Sequence, residues 1–190
     1  MLKPITVLGG LGLILATAGV AITEYQRVKQ KVDDIGTSKT PPGSQLVLTG
    51  AELNAYISGE IPHVVGQGAV VSSKLELGTD SGVMKARINF LRLQRNTGRK
   101  PGWLMQQILA GERDVEVAAR VKSSGGTATI WVDRLEVAGI PLEGAALDFL
   151  MQVFIAPQFP NIRPGQPFPL RPGVDHFEVR PQAIRVFIKR

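Results

Sequence analysis

Val70 to Phe90 reads VVSSKLELGTDSGVMKARINF, and its period decides the fold. Val71, Ser73, Leu75 and Leu77 alternate with Ser72, Lys74 and Glu76. From Val83 the alternation resumes, with Met84, Ala86, Ile88 and Phe90 on one side and Lys85, Arg87 and Asn89 on the other. Successive strand side chains point to opposite faces, so each run has one apolar and one polar side. Thr79-Asp80-Ser81-Gly82 between the runs is turn chemistry. The stretch reads as an antiparallel hairpin that turns one face to a core. The slip at Phe90-Leu91, two apolar neighbours, reads as a bulge.

Toward the C-terminus the plan repeats. Val115, Val117, Ala119 and Val121 alternate with Glu116, Ala118, Arg120 and Lys122; Ser123-Ser124-Gly125-Gly126 turns the chain, and Thr127 to Val137 returns. Leu147, Leu150, Met151 and Phe154 then recur at helical spacing, predicting a helix over 142–155 that Pro157 stops. The stretch from Ala156 to Pro172 is too rich in proline for a sheet interior. Phe177 to Val179, a turn at Pro181-Gln182, and Ile184 to Ile188 predict a closing strand pair.

Toward the N-terminus, Thr49 with Glu52 three residues on forms a capping box, and Leu48 with Leu53 forms a hydrophobic staple. A helix follows with Leu53, Tyr56 and Ile57 on one face, and Pro62 is expected to end it. Before it, residues 36–44 are a turn-rich linker. Pro4 to Thr23, PITVLGGLGLILATAGVAIT, carries no charge. About 20 apolar residues can cross a bilayer core about 30 Å thick, so the preferred reading is an uncleaved membrane anchor continued as a helix through Asp34. A signal peptide cleaved near Ala16-Thr17-Ala18 and a buried core helix are the alternatives. Counting Arg27, Lys29, Lys31 and Lys39 against Lys3 would leave the large domain in the cytoplasm.

The residues quoted so far carry a resemblance. Leu48-Thr49-Gly50-Ala51-Glu52-Leu53-Asn54 after an apolar segment, Leu135 to Leu142 leading into an apolar helix, and the closing strands at Phe177-Glu178-Val179 and Ile184-Arg185-Val186 resemble small bacterial single-module members of the tubular lipid-binding (BPI-like) superfamily, the LmeA-like and YpmS-like proteins. The resemblance covers most of 45–190, and its motifs are capping and turn chemistry. It implies an α+β fold: an N-terminal transmembrane helix with its juxtamembrane continuation at 1–35, the linker at 36–44, and one domain at 45–190 whose curved antiparallel sheet wraps one or two long helices. It also implies an apolar groove for acyl chains and a place in the cell envelope. The anchor would sit singly in the cytoplasmic (inner) membrane, with the domain on the periplasmic or outer side.

Catalysis is not expected. The chain has two histidines, His63 and His176, no cysteine and no G-x-S-x-G elbow. Asp175 and His176 would point to opposite strand faces, which argues against a metal set with Glu178. No cofactor is implied. The first functional reading is a lipid-binding module whose groove is lined by Leu53, Ile57, Phe90, Trp131, Leu147, Leu150, Met151 and Phe154. The second is a non-enzymatic structural or assembly subunit of an envelope complex, with the same residues as filled core. Between Asp80 and Glu112 there is no acid, and Lys85, Arg87, Arg92, Arg95, Arg99 and Lys100 run into an amphipathic segment with Trp103, Leu104 and Ile108. Such a segment suits an anionic membrane surface, with a solvated strand followed by a core-packing helix as the plainer alternative. Membrane lipids and envelope proteins are therefore the expected partners. Nucleic acid is not: despite a pI near 9.9, only 6% of residues are aromatic and the cations are dispersed along strands.

Overall fold

Two antiparallel sheets carry the chain. The structure, a computed structural model, describes residues 23–37, 39–97, 110–144, 147–148 and 160–190. In order these form α1 (Glu24–Gly36), β1 (Gln45–Thr49), α2 (Gly50–Val65), β2 (Val70–Leu77), β3 (Ser81–Asn89), α3 (Phe90–Thr97), β4 (Glu112–Ser124), β5 (Thr127–Val137), β6 (Ile140–Pro141), β7 (Pro167–Pro169), β8 (Val174–Arg180) and β9 (Ala183–Ile188). The larger sheet runs β2-β3-β4-β5-β6, with β7 also on β5, and the smaller runs β1-β9-β8.

Both hairpins form as their period dictates. In β3 and β4, Lys85 pairs with Glu116, Met84 with Val117 and Ala86 with Val115, so charge faces charge and apolar faces apolar. The β4–β5 turn is Gly125-Gly126, both with positive φ, 56° and 80°. Two residues in the left-handed region match the twist of a tight hairpin, and glycine enters that region without a steric penalty.

The expected architecture needs correction. Among the described residues strand exceeds helix. Among the described residues the longest helix has 16 residues, and none is long and apolar enough to cross a membrane. No sheet wraps a long helix among the described residues. The apolar positions of 70–89 and 112–137 fall almost entirely at period two, so their burial is reached by sheet rather than by helix. α1 and α2 are bounded by local signals. Residues 4–22 of the apolar run lie outside the described residues, but Thr23, its last member, is extended (φ −64°, ψ 157°) and caps α1 through a box with Gln26. The helix therefore starts afresh at Glu24 instead of carrying on from the run.

Three smaller departures have equally local causes. The step at Phe90-Leu91 is a helix start, not a bulge: Asn89 Oδ1 accepts from Arg92 N at 3.0 Å and launches α3. Pro62 lies inside α2, which runs on until Gly66 (φ 89°). The staple segment before Thr49 is itself a strand, β1, paired along β9 from Gln45–Phe187 to Thr49–Ala183. The helix expected at 142–155 lies mostly outside the described residues, although Asp148 N donates to Gly144 O at 2.9 Å in helical fashion.

Two apolar clusters hold these pieces. Val28 and Ile35 of α1 join Leu48, Val174 and Val186 of the smaller sheet, with Leu53 and Tyr56 of α2 packed against them. Ala69, Phe90, Leu93, Leu135, Val137 and Leu142 form the second cluster at one end of the larger sheet. The sheets meet where β8 lies along the β4–β5 tip. Ser123 Oγ accepts from Phe177 N and donates to Phe177 O, both at 2.7 Å, and Gly126 N donates to Asp175 O at 2.6 Å.

Candidate functional site

The register of the larger sheet sorts its side chains into two faces. On one face lie Leu75 of β2, Met84 of β3, Val117, Ala119 and Val121 of β4, and Ile130 and Val132 of β5. All seven are half-buried. At one end of this face Leu135 and Val137 are sealed, at 8% and 0% exposure, and at the other Ala128 is sealed at 2%. An apolar trough thus runs between two closed ends. From Ala128 to Leu135 it spans about 23 Å, at about 3.3 Å per residue. A half-buried apolar face keeps part of its transfer free energy, about 25 cal/mol per Å², available to whatever covers it.

The opposite face is charged and internally paired. Arg87 makes a bidentate pair with Asp114, at 2.9 and 3.2 Å. Lys74 and Lys85 both reach Glu76. Arg120 grips Asp133 at 2.7 Å, and Arg134 bonds Glu116 and also reaches Glu136 at 3.4 Å. Hydrogen bonding to Arg87 and to Arg120 holds the Asp114 and Asp133 carboxyls below the usual carboxylate range. A shallow depression of about 470 Å³ over Ser72, Lys74, Lys85, Arg87, Asp114 and Glu116 lies on this face.

A second depression, about 480 Å³, lies between the β4–β5 tip and β8. Here His176 Nδ1 is 2.6 Å from the Asp175 carboxylate, and the imidazole stacks on Phe187 with centroids 4.3 Å apart. Strict alternation would have separated the two side chains. A register shift between Val174 and His176 makes Asp175 the extra residue and lets it reach its neighbour. The Ser123 hydroxyl beside them is engaged on both sides by the Phe177 backbone. Among the described residues no three His, Cys, Asp or Glu side chains gather as a metal site.

The smaller sheet is closed by polar staples. Glu52, 4% exposed, accepts from Lys31 Nζ at 2.7 and 2.9 Å and from Thr49 N at 2.9 Å. Burial pushes its carboxyl up, but the Lys31 hydrogen bond and the Thr49 amide outweigh burial, and the net direction is down. Tyr25 donates to Glu60 at 2.7 Å and stacks on Tyr56 at 6.5 Å. Gly59 makes this approach possible, since a Cβ there would sit 2.3 Å from the Tyr25 ring.

The residues singled out from the sequence separate. Leu53 lies in the α1–α2 cluster and Phe90 in the other, while Leu147 packs against the Phe90 cluster. Ile57 is half-buried on α2. Trp131 stands opposite Arg120, on the charged face. Arg92 and Arg95 are exposed on α3. Leu150, Met151, Phe154, Arg99, Lys100, Trp103, Leu104 and Ile108 lie outside the described residues. The trough residues Val117, Ala119 and Val121 were legible as an apolar face, but nothing in their period says whether such a face is sealed. No family model, no curated protein and no solved structure matches this chain.

Proposed function

We propose that the protein is a non-catalytic binding module that holds an apolar chain, such as a lipid acyl group, against the trough of the larger sheet. The observation that carries this reading is the half-buried strip from Leu75 across Val117 and Ala119 to Ile130, between the sealed ends at Ala128 and Val137. A chain-like apolar ligand fits a strip that is long, narrow and free of charge. Affinity needs no polar constellation, since each buried methylene contributes about 0.8 kcal/mol. The likeness of Leu48–Asn54 and Leu135–Leu142 to tubular lipid-binding modules points the same way, and with it goes an envelope setting.

Native mass spectrometry of the full chain tests the reading. A co-purifying lipid adduct is expected. Ala119→Trp and Val121→Trp should each reduce it several-fold while the unfolding midpoint moves little, because both positions are half-buried and neither is among the residues packed on the two buried clusters. An absence of lipid adducts, or unfolding of both variants, would overturn the proposal: overpacking a filled interior costs about 1–3 kcal/mol.

A further inference from the structure

The polar surface of this chain is not uniform. Lys74, Lys85, Arg87, Arg120 and Arg134 on the larger sheet each have an acidic partner. Arg92 and Arg95 on α3 have none among the described residues. They are also arranged differently. Residues three and four apart share a helix face, so Arg95 stands beside both Arg92 and Leu91. Phe90 and Leu93 point the other way and are buried, at 2% and 4% exposure. Leu91 is 50% exposed, held outward by a helix whose apolar side is already occupied. The outer face of α3 is therefore a large apolar side chain flanked by two guanidinium groups.

The neighbouring backbone makes room for this display. Gly68 has φ +69°, a conformation that favours glycine, and the Arg92 guanidinium lies close over it, with Nη1 2.1 Å from where a Cβ would stand. Val71, 53% exposed, occupies the bulge at the start of β2, at the same end of the sheet. Of the acids near this end, Glu112 stands opposite Asn89 in the register, Arg87 occupies Asp114, Arg134 reaches Glu136, and Glu143 and Asp148 follow Leu142 and Leu147 on the other side of the buried cluster. Along the chain no acid occurs between Asp80 and Glu112.

We propose that the outer face of α3, Leu91 with Arg92 and Arg95, docks on an anionic lipid surface. Cations are drawn to such a surface, and an apolar side chain between them enters the boundary below the headgroups. A polyanion such as nucleic acid would use the arginines but not Leu91, which is why the bilayer is the better fit. The inference stands apart from the trough: a sheet that holds no lipid could still dock, and a lipid-laden sheet could float free.

The chain has no cysteine, so one introduced thiol reports one place. Full-length protein carrying Leu91→Cys or, as a control, Val47→Cys on β1 is labelled with an environment-sensitive dye. It is then mixed with vesicles of phosphatidylcholine alone, or with added phosphatidylglycerol, containing a spin-labelled quencher lipid. The label at position 91 should be quenched several-fold more than that at 47, only with phosphatidylglycerol present. The quenching should fade from 0.1 to 1 M salt as the Debye length falls from about 10 to about 3 Å. Arg92→Glu with Arg95→Glu should remove it. The charge reversal separates docking through this face from attachment by another segment, since an attachment made elsewhere would leave the quenching at 91 unchanged. Equal quenching at 91 and 47, indifference to the charge reversal, or a response to duplex DNA with none to vesicles would overturn the proposal.

Discussion

The two sheets are built from the same kind of strand yet treat their apolar faces differently. The smaller sheet is covered by α1 and α2, and Val28, Leu48, Val174 and Val186 are all buried there. The larger sheet is covered at its ends and left half-open in the middle. A face that is closed by helices and pinned by a buried Glu52–Lys31 pair is structural. On the larger sheet Val117 and Val132 rest against the Phe90 cluster, yet the strip they belong to stays half-buried, and the proposed trough rests on that difference.

The sharpest way to break this comparison is to shorten a side chain in each region. Leu48→Ala should cost about 2–5 kcal/mol of stability in chemical denaturation, since the cavity it leaves lies under two helices. Val121→Ala should cost about 1–1.5 kcal/mol, because it removes about two methylene equivalents at about 0.8 kcal/mol each from a site that keeps some contact with water. Equal losses would show that the trough is sealed core.

Glu52→Gln comes next. It removes the charge that Lys31 and Thr49 N hold and should cost about 1–3 kcal/mol. The pH dependence has a definite sign. The folded carboxyl titrates below its unfolded value, so its contribution is complete above the unfolded pKa of about 4.3 and is lost as the pH falls through the lower folded value. The gap in stability between the two proteins should stay constant from pH 7 to 5 and close on further acidification. A gap that widened in acid would mean that burial, not Lys31, governs Glu52.

Asn54→Ala tests the seam between the regions. Its amide donates to Leu75 O at 2.9 Å and Gly50 O at 2.8 Å, and its Oδ1 accepts from Leu75 N at 2.7 Å. The side chain completes the free edge of β2 as a strand would. Losing it should cost about 1–2 kcal/mol and speed hydrogen exchange at Leu75 before any other amide of the sheet. Unchanged exchange there would show that α2 protects the edge by cover alone.

These elements also show what the sequence could and could not say. Period two in 70–90 and 112–137 reported the hairpins and their faces, because alternation is a property of each strand alone. Thr49 with Glu52 reported the start of α2 for the same reason. Thr23 with Gln26 was an equally local signal for α1, hidden because the apolar run beside it invited a continuous helix. Gly59 carried its message only once Tyr25 was seen against it. Strand β1 was illegible, since its pairing with β9 joins positions some 140 residues apart. Sealing is illegible for the same reason: Val117 and Leu48 look alike until their cover is known.

The smallest effect belongs to the charged face. Arg87→Gln breaks the bidentate contact with Asp114, whose geometry is good. Both side chains are largely exposed, at 52% and 72%. Water and salt screen such pairs, and the entropy of holding two long side chains offsets most of the attraction. The unfolding midpoint should therefore stay where it is at physiological salt, even though Asp114 titrates nearer the ordinary carboxylate range once its partner is gone. An NMR titration of Asp114 alongside the melt reads both. A large drop in the midpoint would mean that the ladder Arg87–Asp114, Glu116–Arg134 and Arg120–Asp133 fixes the strand register. The charged side of the larger sheet would then be its structural face, leaving the apolar side freer to serve a ligand.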